Sequence, residues 1–393
     1  MAHIVKFRVG GLVGRNDVYE KKLNRDINIF FGLNGSGKTS LLRILDSAMS
    51  NNGIGLDIVP FEWAEVTIHS IEFGRDFTLT IDKKKKRAPR QPTRPRIVRR
   101  NTRRATGELV VTTTSDDLGG DELTWEIEPP KPEGSRGKGW AHRYLPTWRL
   151  FVRDEFHRFM MTNMDYQEFD WDILFARRLE SIWSSYTNRL LSEVKKIQDE
   201  GLENILRSIL SPIDREKKTT DLDGHTAYRT VRTFLAHRGS THALESQNKF
   251  VEHYEKDSQL RSIVSDINTV EKRMEHSMST RLTLENLISK MFTGKKKIIF
   301  EDIGLFVRTD YGEEIGLVSL SSGEKHVLSI FIETLLVGFS SLLIDEPEIS
   351  LHVDWQRVLI SSMSSLNPES QLIIATQSPE IMAEIPDNKI FRL

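Results

Sequence analysis

Apolar and polar residues alternate over 3–9, and an unbroken apolar run fills 27–31; both patterns predict strands. The second run stops at Gly32. From Thr39 onward Leu41, Leu42, Ile44, Leu45 and Met49 recur with helical spacing. Alternation returns over 64–82 (Val66, Ile68, Ile71, Phe73, Phe77, Leu79, Ile81) and over 108–127 (Leu109, Val111). Antiparallel strands are expected in both stretches. They are separated by 83–104, and the Pro- and Gly-rich stretch 129–139 predicts a loop.

The middle of the chain changes period. Phe175, Leu179, Ile182, Tyr186, Leu190, Val194 and Ile197 form one apolar stripe at steps of three and four, predicting a long helix. Leu260, Ile263, Ile267, Val270 and Met274 predict a second, with heptad-like steps suited to a neighbouring helix. Between them, about 211–242 is polar without a clear pattern. A helical subdomain and a short coiled-coil arm both fit. α/β character returns with a strand-like stretch at 296–308, followed by an amphipathic helix over 321–338 and a buried-strand run from Leu342 to Ile344, ending at Asp345. A helix over about 352–366, a strand at 371–375 and a last strand near 389–392 complete the pattern. Strands with helical crossovers on both sides of an insertion predict one split α/β domain. The expected division is 1–150 for an N-terminal lobe, 151–295 for the helical insertion and 296–393 for a C-terminal lobe.

Composition narrows the class. At 393 residues, with 38% hydrophobic and 28% charged positions, the chain suits a soluble globular protein with a sizeable core. No apolar run approaches the roughly 20 residues that cross a bilayer, and the opening residues lack the apolar core of a signal peptide. With no cysteine, disulfides and thiolate metal sites are excluded, and a cytoplasmic location is expected.

Two strand ends carry candidate chemistry. GLNGSGKT at 32–39 fits G-x-x-x-x-G-K-[ST] between a strand and a helix, the setting of a P-loop. Gly32, Gly35 and Gly37 allow the tight turn, and the N–H groups of Leu33, Asn34, Ser36 and their neighbours through Ser40 can converge on phosphate oxygens. Lys38 would reach the β- and γ-phosphates, and Thr39 would offer a hydroxyl to Mg2+. In SLLIDEPE at 341–348, the apolar strand delivers Asp345 as a Mg2+ carboxylate and Glu346 as the base for an attacking water. ATP and Mg2+ are therefore the expected ligands. The absence of N-K-x-D leaves guanine selectivity without support.

SLSSGEKHVL at 319–328 resembles the ABC signature in its RecF/SMC form, and the chain is identified as a member of the RecF/SMC/OLD-like ATPases. That resemblance covers roughly 1–82 and 296–393, and it implies an ABC-type P-loop ATPase domain, a mixed sheet with flanking helices, split by a helical insertion. It implies that Leu320, Ser321, Ser322, Gly323 and Glu324 form the signature. Ser321 and the Gly323 backbone would then touch the γ-phosphate bound to another protomer's P-loop. EISLHVDWQ at 348–356 resembles the D-loop region of the same branch, with Glu348 and His352 flanking it. ATQSPE at 375–380 resembles the switch segment A-T-H-S-P, with Gln377 in the histidine's place. A glutamine can still hydrogen-bond a γ-phosphate or orient water, but it cannot become imidazolium. RYLPTWR at 143–149 resembles the Y-x-P-T-[YW]-R segment of defence-associated ATPases in this branch, including those of Septu-type and PARIS-type anti-phage systems. No residue matches the glutamine that normally completes the family's Mg2+ shell. No nuclease segment follows the last motif before Leu393, and an OLD nuclease proper is not expected.

Residues 83–104 hold 12 Lys/Arg and no acid, among them Lys83, Lys84, Lys85, Lys86, Arg87, Arg99, Arg100, Arg103 and Arg104. Such density repels itself without an anionic partner, for which DNA or RNA phosphate and an acidic protein surface are the candidates; the alternative is a solvated hairpin loop with no such partner. Two functions follow from the resemblance. One is the regulatory ATPase subunit of an anti-phage system, forming head-to-tail ATP dimers or a larger ring and controlling a separate effector such as a nuclease. The other is a DNA-repair or chromosome-maintenance ATPase acting directly on DNA.

Overall fold

The computed structural model describes residues 1–84, 123–132, 134–135, 138–147, 171–210, 222–236, 240, 244–292, 296–302 and 304–393. The chain packs into two compact units: Met1–His157 with Val337–Ile360 and Pro368–Leu393, and Arg158–Leu336 with Ser361–Asn367.

The first unit opens with β1 (Ala2–Gly10), β2 (Val18–Lys22), β3 (Ile27–Phe31), α1 (Lys38–Ser50), β4 (Trp63–Ser70), β5 (Arg75–Asp82), β6 (Glu126–Glu128) and β7 (His142–Leu145). The second holds α2 (Trp171–Leu210), α3 (Gly224–Ala236), α4 (Gln247–Lys256), α5 (Ser258–Met291), the strands β8 (Lys296–Phe300), β9 (Leu305–Thr309) and β10 (Glu314–Ile315), and α6 (Ser322–Leu336). The chain then returns to the first unit through β11 (Ser341–Asp345), α7 (Val353–Leu366, whose last residues count with the second unit), β12 (Gln371–Thr376) and β13 (Ile390–Arg392). The result is an α/β P-loop fold interrupted by a helical insertion.

Two five-stranded sheets build the first unit. One is antiparallel, in the order β2-β1-β4-β5-β6; the other is wholly parallel, in the order β13-β3-β12-β11-β7. A single hydrophobic cluster joins Leu41, Leu42, Ile44, Leu45, Ala48 and Met49 of α1 to both sheets. From the antiparallel sheet come Ile4, Val9, Val66, Ile68, Phe77 and Leu79; from the parallel one come Phe30, Leu343, Ile373 and Ala375. Each fully buried aliphatic or aromatic side chain contributes about 1.5–3 kcal/mol. The helix that carries Lys38 and Thr39 is thereby packed into the cluster shared with both sheets.

Several expectations change. Ile71 and Phe73 continue the alternation in sequence, yet both lie in the turn between β4 and β5, and Ile71 is 46% exposed. The alternating stretch 108–127 falls outside the described residues except at its end, where β6 pairs with β5. Strand β2 went unread because it alternates between exposed and half-buried positions at a sheet edge. Within 211–242, α3 buries only Ala227, Val231 and Phe234, a three-residue stripe diluted by Thr, Arg and His. The strand-like residues 296–308 form two antiparallel strands, β8 and β9.

In the second unit, α2 and α5 pair along their length, and α3 and α4 join them in one cluster that includes Ile197, Val231, Phe250, Tyr254, Val264 and Val270. Gly201 sits where α2 meets α5: a Cβ there would lie 2.2 Å from Val270 Cγ2. Near the other end of α2, the fully buried Trp183 donates its indole N–H to Glu301 O at 2.8 Å, and Thr187 Oγ1 donates to Asp302 O at 3.0 Å. These bonds fasten the β8–β9 turn to α2.

Leu45→Ala is expected to cost about 2–5 kcal/mol by cavity formation, whereas Ile71→Ala should change stability by less than about 0.5 kcal/mol. Chemical denaturation of both variants checks this, and equal losses would return Ile71 to the core. His3 gives a pH signature. Burial, then the Arg25 charge and the neighbouring His69, outweigh Asp76 and lower its pKa from 6.5 to about 4. Between those values the unfolded chain holds a proton that the folded chain refuses, so stability should fall as pH drops from about 6.5 towards 4. His3→Gln should flatten that decline, by at most about 1.4 kcal/mol per pH unit, in melts run across this range.

Candidate functional site

Three adjacent parallel strands deliver the predicted residues to one edge. β12 pairs with β3 on one side and β11 on the other, so Gly32–Thr39, Asp345–Glu346 and Gln377 all leave the carboxyl ends of neighbouring strands. This is the edge at which open parallel sheets bind ligands. The loop before α1 turns through positive φ at Gly35 (82°) and Gly37 (102°), the second serving as the helix N-cap. At Gly32 the constraint is space: a Cβ would meet Ser36 Oγ at 2.5 Å. Leu33, Asn34 and Gly35 are exposed, Ser36 and Ser40 partly so, while Lys38 is 4% exposed. Its Nζ donates to Gly32 O at 2.8 Å and Leu33 O at 3.1 Å, which spans the loop. An anion taking the place of those carbonyls would meet a charge already in position.

Asp345 ends β11 fully buried. Thr39 Oγ1 donates to its Oδ2 at 2.8 Å, and Thr147 Oγ1 donates to the same oxygen at 2.7 Å. Oδ1 is buried and has no hydrogen-bond donor among the described residues. A carboxylate oxygen left so is costly, and a bound cation would satisfy it. Beside it, the Tyr144 hydroxyl is pushed well above its ordinary pKa, first by burial and then by the charges of Asp345 and Asp46. The residues present fit a hard divalent cation with oxygen ligands. Glu346 follows in the left-handed region at φ 49°, a conformation that costs a non-glycine residue about 1–3 kcal/mol. Its N–H donates to Ala375 O at 2.7 Å, and its Oε1 lies 4.0 Å from Lys38 Nζ.

Glu348 is 8% exposed and accepts the Gln377 N–H at 2.9 Å through Oε1. Gln356 extends the brace: its Nε2 donates to Leu351 O at 3.0 Å, while its Oε1 accepts from Ser378 Oγ at 2.7 Å. The backbone of the switch segment is thus held by the segment after β11, and the Gln377 side chain is left exposed. Sequence reading placed Glu348 beside the D-loop without a task. Thr147 was missed because its task depends on β7 lying next to β11, where Leu145 pairs with Ile344.

Ser321, Ser322, Gly323 and Glu324 belong to the second unit and open α6. Ser321 N–H donates to Glu324 Oε2 at 2.6 Å and Glu324 N–H to Ser321 Oγ at 3.3 Å, a reciprocal capping box. Lys296 Nζ donates to Ser319 O at 2.7 Å and lies 3.9 Å from the same Glu324 oxygen. Of the basic tract, only Lys83 and Lys84 are among the described residues. Lys83 donates to the Asp57 and Val59 carbonyls above the Phe61 ring, and burial lowers its pKa against the opposing charge of Asp57. Lys84 pairs with Glu62 at 3.1 Å. Lys85, Lys86, Arg87, Arg99, Arg100, Arg103 and Arg104 lie outside the described residues.

The chain is similar to several known proteins. The chain is 28% identical over 92 residues to the "Retron Vc95 probable ATPase" of Vibrio cholerae serotype O1 biovar El Tor, covering 20% of this chain and 18% of that relative. It therefore spans less than a fifth of that relative's length in the match. Among solved structures, the Smc head domain of Pyrococcus furiosus bound to the C-terminal domain of ScpA is 15% identical with a TM-score of 0.39, covering 98% of this chain and 92% of that one. The recombination mediator protein RecF is 11% identical with a TM-score of 0.39, covering 100% and 96%. The family described as "AAA domain, putative AbiEii toxin, Type IV TA system" matches residues 165–383, which include the signature, Asp345, Glu346 and Gln377. That match covers more than half of the chain, and the protein belongs to this family of AAA-domain proteins.

Proposed function

We propose that this protein binds Mg-ATP at the carboxyl ends of β3, β12 and β11 and hydrolyses it. The observation that carries the reading is the buried Asp345 oxygen without a donor, set beside the P-loop hydroxyl of Thr39. A divalent cation held by Thr39 and Asp345 would supply positive charge to the β- and γ-phosphate oxygens. Lys38 exchanges the Gly32 and Leu33 carbonyls for phosphate oxygens. Glu346 accepts the proton of the attacking water, and Gln377, exposed at the end of β12, orients that water or bonds the γ-phosphate. Ser321 and Gly323, at the start of α6, engage the γ-phosphate held by a second copy, which makes ATP the link in a head-to-tail dimer or larger ring.

We further propose that this ATPase acts in the cytoplasm as a regulatory subunit of a bacterial anti-phage system, controlling a separate effector such as a nuclease. The family description and the retron relative support that setting. The basic tract at 83–104 favours a second reading, an ATPase of RecF/SMC type acting directly on DNA, or on RNA.

Lys38→Ala should weaken nucleotide binding by about 1.5–3 kcal/mol through loss of a charge-assisted contact; unchanged affinity in calorimetry would sink the P-loop assignment. Glu346→Gln keeps shape and reach but takes up no proton. Slow turnover and an ATP-dependent assembly that persists are expected, while Ser321→Arg should block assembly with ATP binding retained. Light scattering with and without Mg-ATP decides this, and parental turnover in Glu346→Gln refutes the mechanism. For the second reading, log affinity for duplex DNA should fall against log salt with a slope of about -0.9 per phosphate contact. Neutralising Arg99, Arg100, Arg103 and Arg104 should flatten it, and a flat profile in the parent removes the DNA reading.

A further inference from the structure

We propose that Thr147 is part of the cation site: its side-chain oxygen is a third protein ligand, alongside Thr39 and Asp345, for the divalent ion that accompanies the nucleotide. The inference rests on the Mg-ATP reading above and gives a task to the threonine of the RYLPTWR segment, to which the sequence assigned none.

The local sequence explains why Thr147 stands where it does. β7 runs parallel to β11 and its pairing ends at Leu145–Ile344. Pro146 follows, with no N–H to continue the ladder. Thr147 is thereby released at the strand tip, level with Asp345 and Glu346. Its Oγ1 donates to Asp345 Oδ2 at 2.7 Å, matching the 2.8 Å bond from Thr39 Oγ1 to the same atom. The two threonines approach one carboxylate oxygen from different strands of the parallel sheet, one after β3 and the other after β7.

Donation in this direction matters chemically. A hydroxyl that gives its proton to a carboxylate keeps its lone pairs free and is made a better donor to a cation by the negative charge behind it. Thr39 already has the place that a P-loop assigns to a cation ligand, and Thr147 makes the same bond to the same atom. Two hydroxyl donors use the capacity of Oδ2, while Oδ1 stays buried and without a donor. If Thr147 served only to satisfy Asp345, a donor to each oxygen would be the cheaper arrangement. Two on one oxygen and none on the other leaves a carboxylate still in need of positive charge. Hard divalent ions take oxygen ligands of this kind, carboxylate and neutral oxygen together.

The test separates a ligand from a brace. Affinity for ADP is measured by calorimetry in Mg2+ and in EDTA for the parent, Thr147→Val and Thr147→Ser, with thermal melts alongside. Thr147→Val is expected to lose about tenfold of the Mg2+-dependent gain in affinity and to keep the metal-free affinity; Thr147→Ser should retain both. Substituting Mn2+ and counting bound ion by electron paramagnetic resonance should show weaker ion retention in Thr147→Val at saturating ADP. If Thr147→Val misfolds, Thr147→Ala against Thr147→Ser gives the same comparison. An undiminished Mg2+ gain in Val or Ala overturns the proposal, as does an equal loss with and without metal, which marks a structural brace. A parent that binds no ADP instead overturns the nucleotide reading, and this one with it.

Discussion

A carboxylate without water is the constraint around which the first unit is arranged. Asp345 ends an apolar strand that is buried along its whole length, with parallel neighbours on both sides. Its charge has no solvent, and two threonine hydroxyls cover one oxygen only. Leaving such a group under-compensated costs free energy that folding alone has no reason to spend. The rest of the site reads as surroundings for that charge. Lys38 is buried nearby and bound to carbonyls of its own loop, and Glu346 is held in a strained backbone conformation.

The surrounding scaffold gives that arrangement its rigidity. α1 is locked into one hydrophobic cluster with both sheets, so the loop before it has little freedom to drift from β11. The bond from Glu346 N–H to Ala375 O ties the strained residue to β12, and Glu348 ties the Gln377 backbone to the segment after β11. Through Gln356 and Ser378 the same segment also fixes the start of the turn after β12. The segments that leave β11 and β12 at this edge are therefore tied to each other.

The second unit obeys a different logic. Its long helices are polar on most of their surface and gain stability by mutual packing, with Gly201 permitting close approach and Trp183 anchoring the β8–β9 turn. α6 opens with a closed capping box in which Glu324 occupies the first free N–H, and Lys296 stands beside that carboxylate. A helix start closed in this way has its first N–H groups satisfied from within the chain.

Local order was plainly written in the residues. The apolar run of β3, the glycines after it, the stripe on α1 and the run into Asp345 each depend on neighbours a few positions away. Strand period, helix period and the G-x-x-x-x-G-K-[ST] spacing therefore reported them. Family resemblance carried the signature and switch segments, whose meaning lies in chemistry rather than periodicity. Tertiary structure alone decided which strands are neighbours. β7 pairs with β11 across some two hundred residues of chain, and only that pairing gives Thr147 a place at the Asp345 carboxylate. The turn at Ile71, the edge strand β2 and the sparse stripe of α3 escaped for a related reason. An alternating pattern marks a strand only where one face is buried, and burial is a property of the packed molecule rather than of the residues in order.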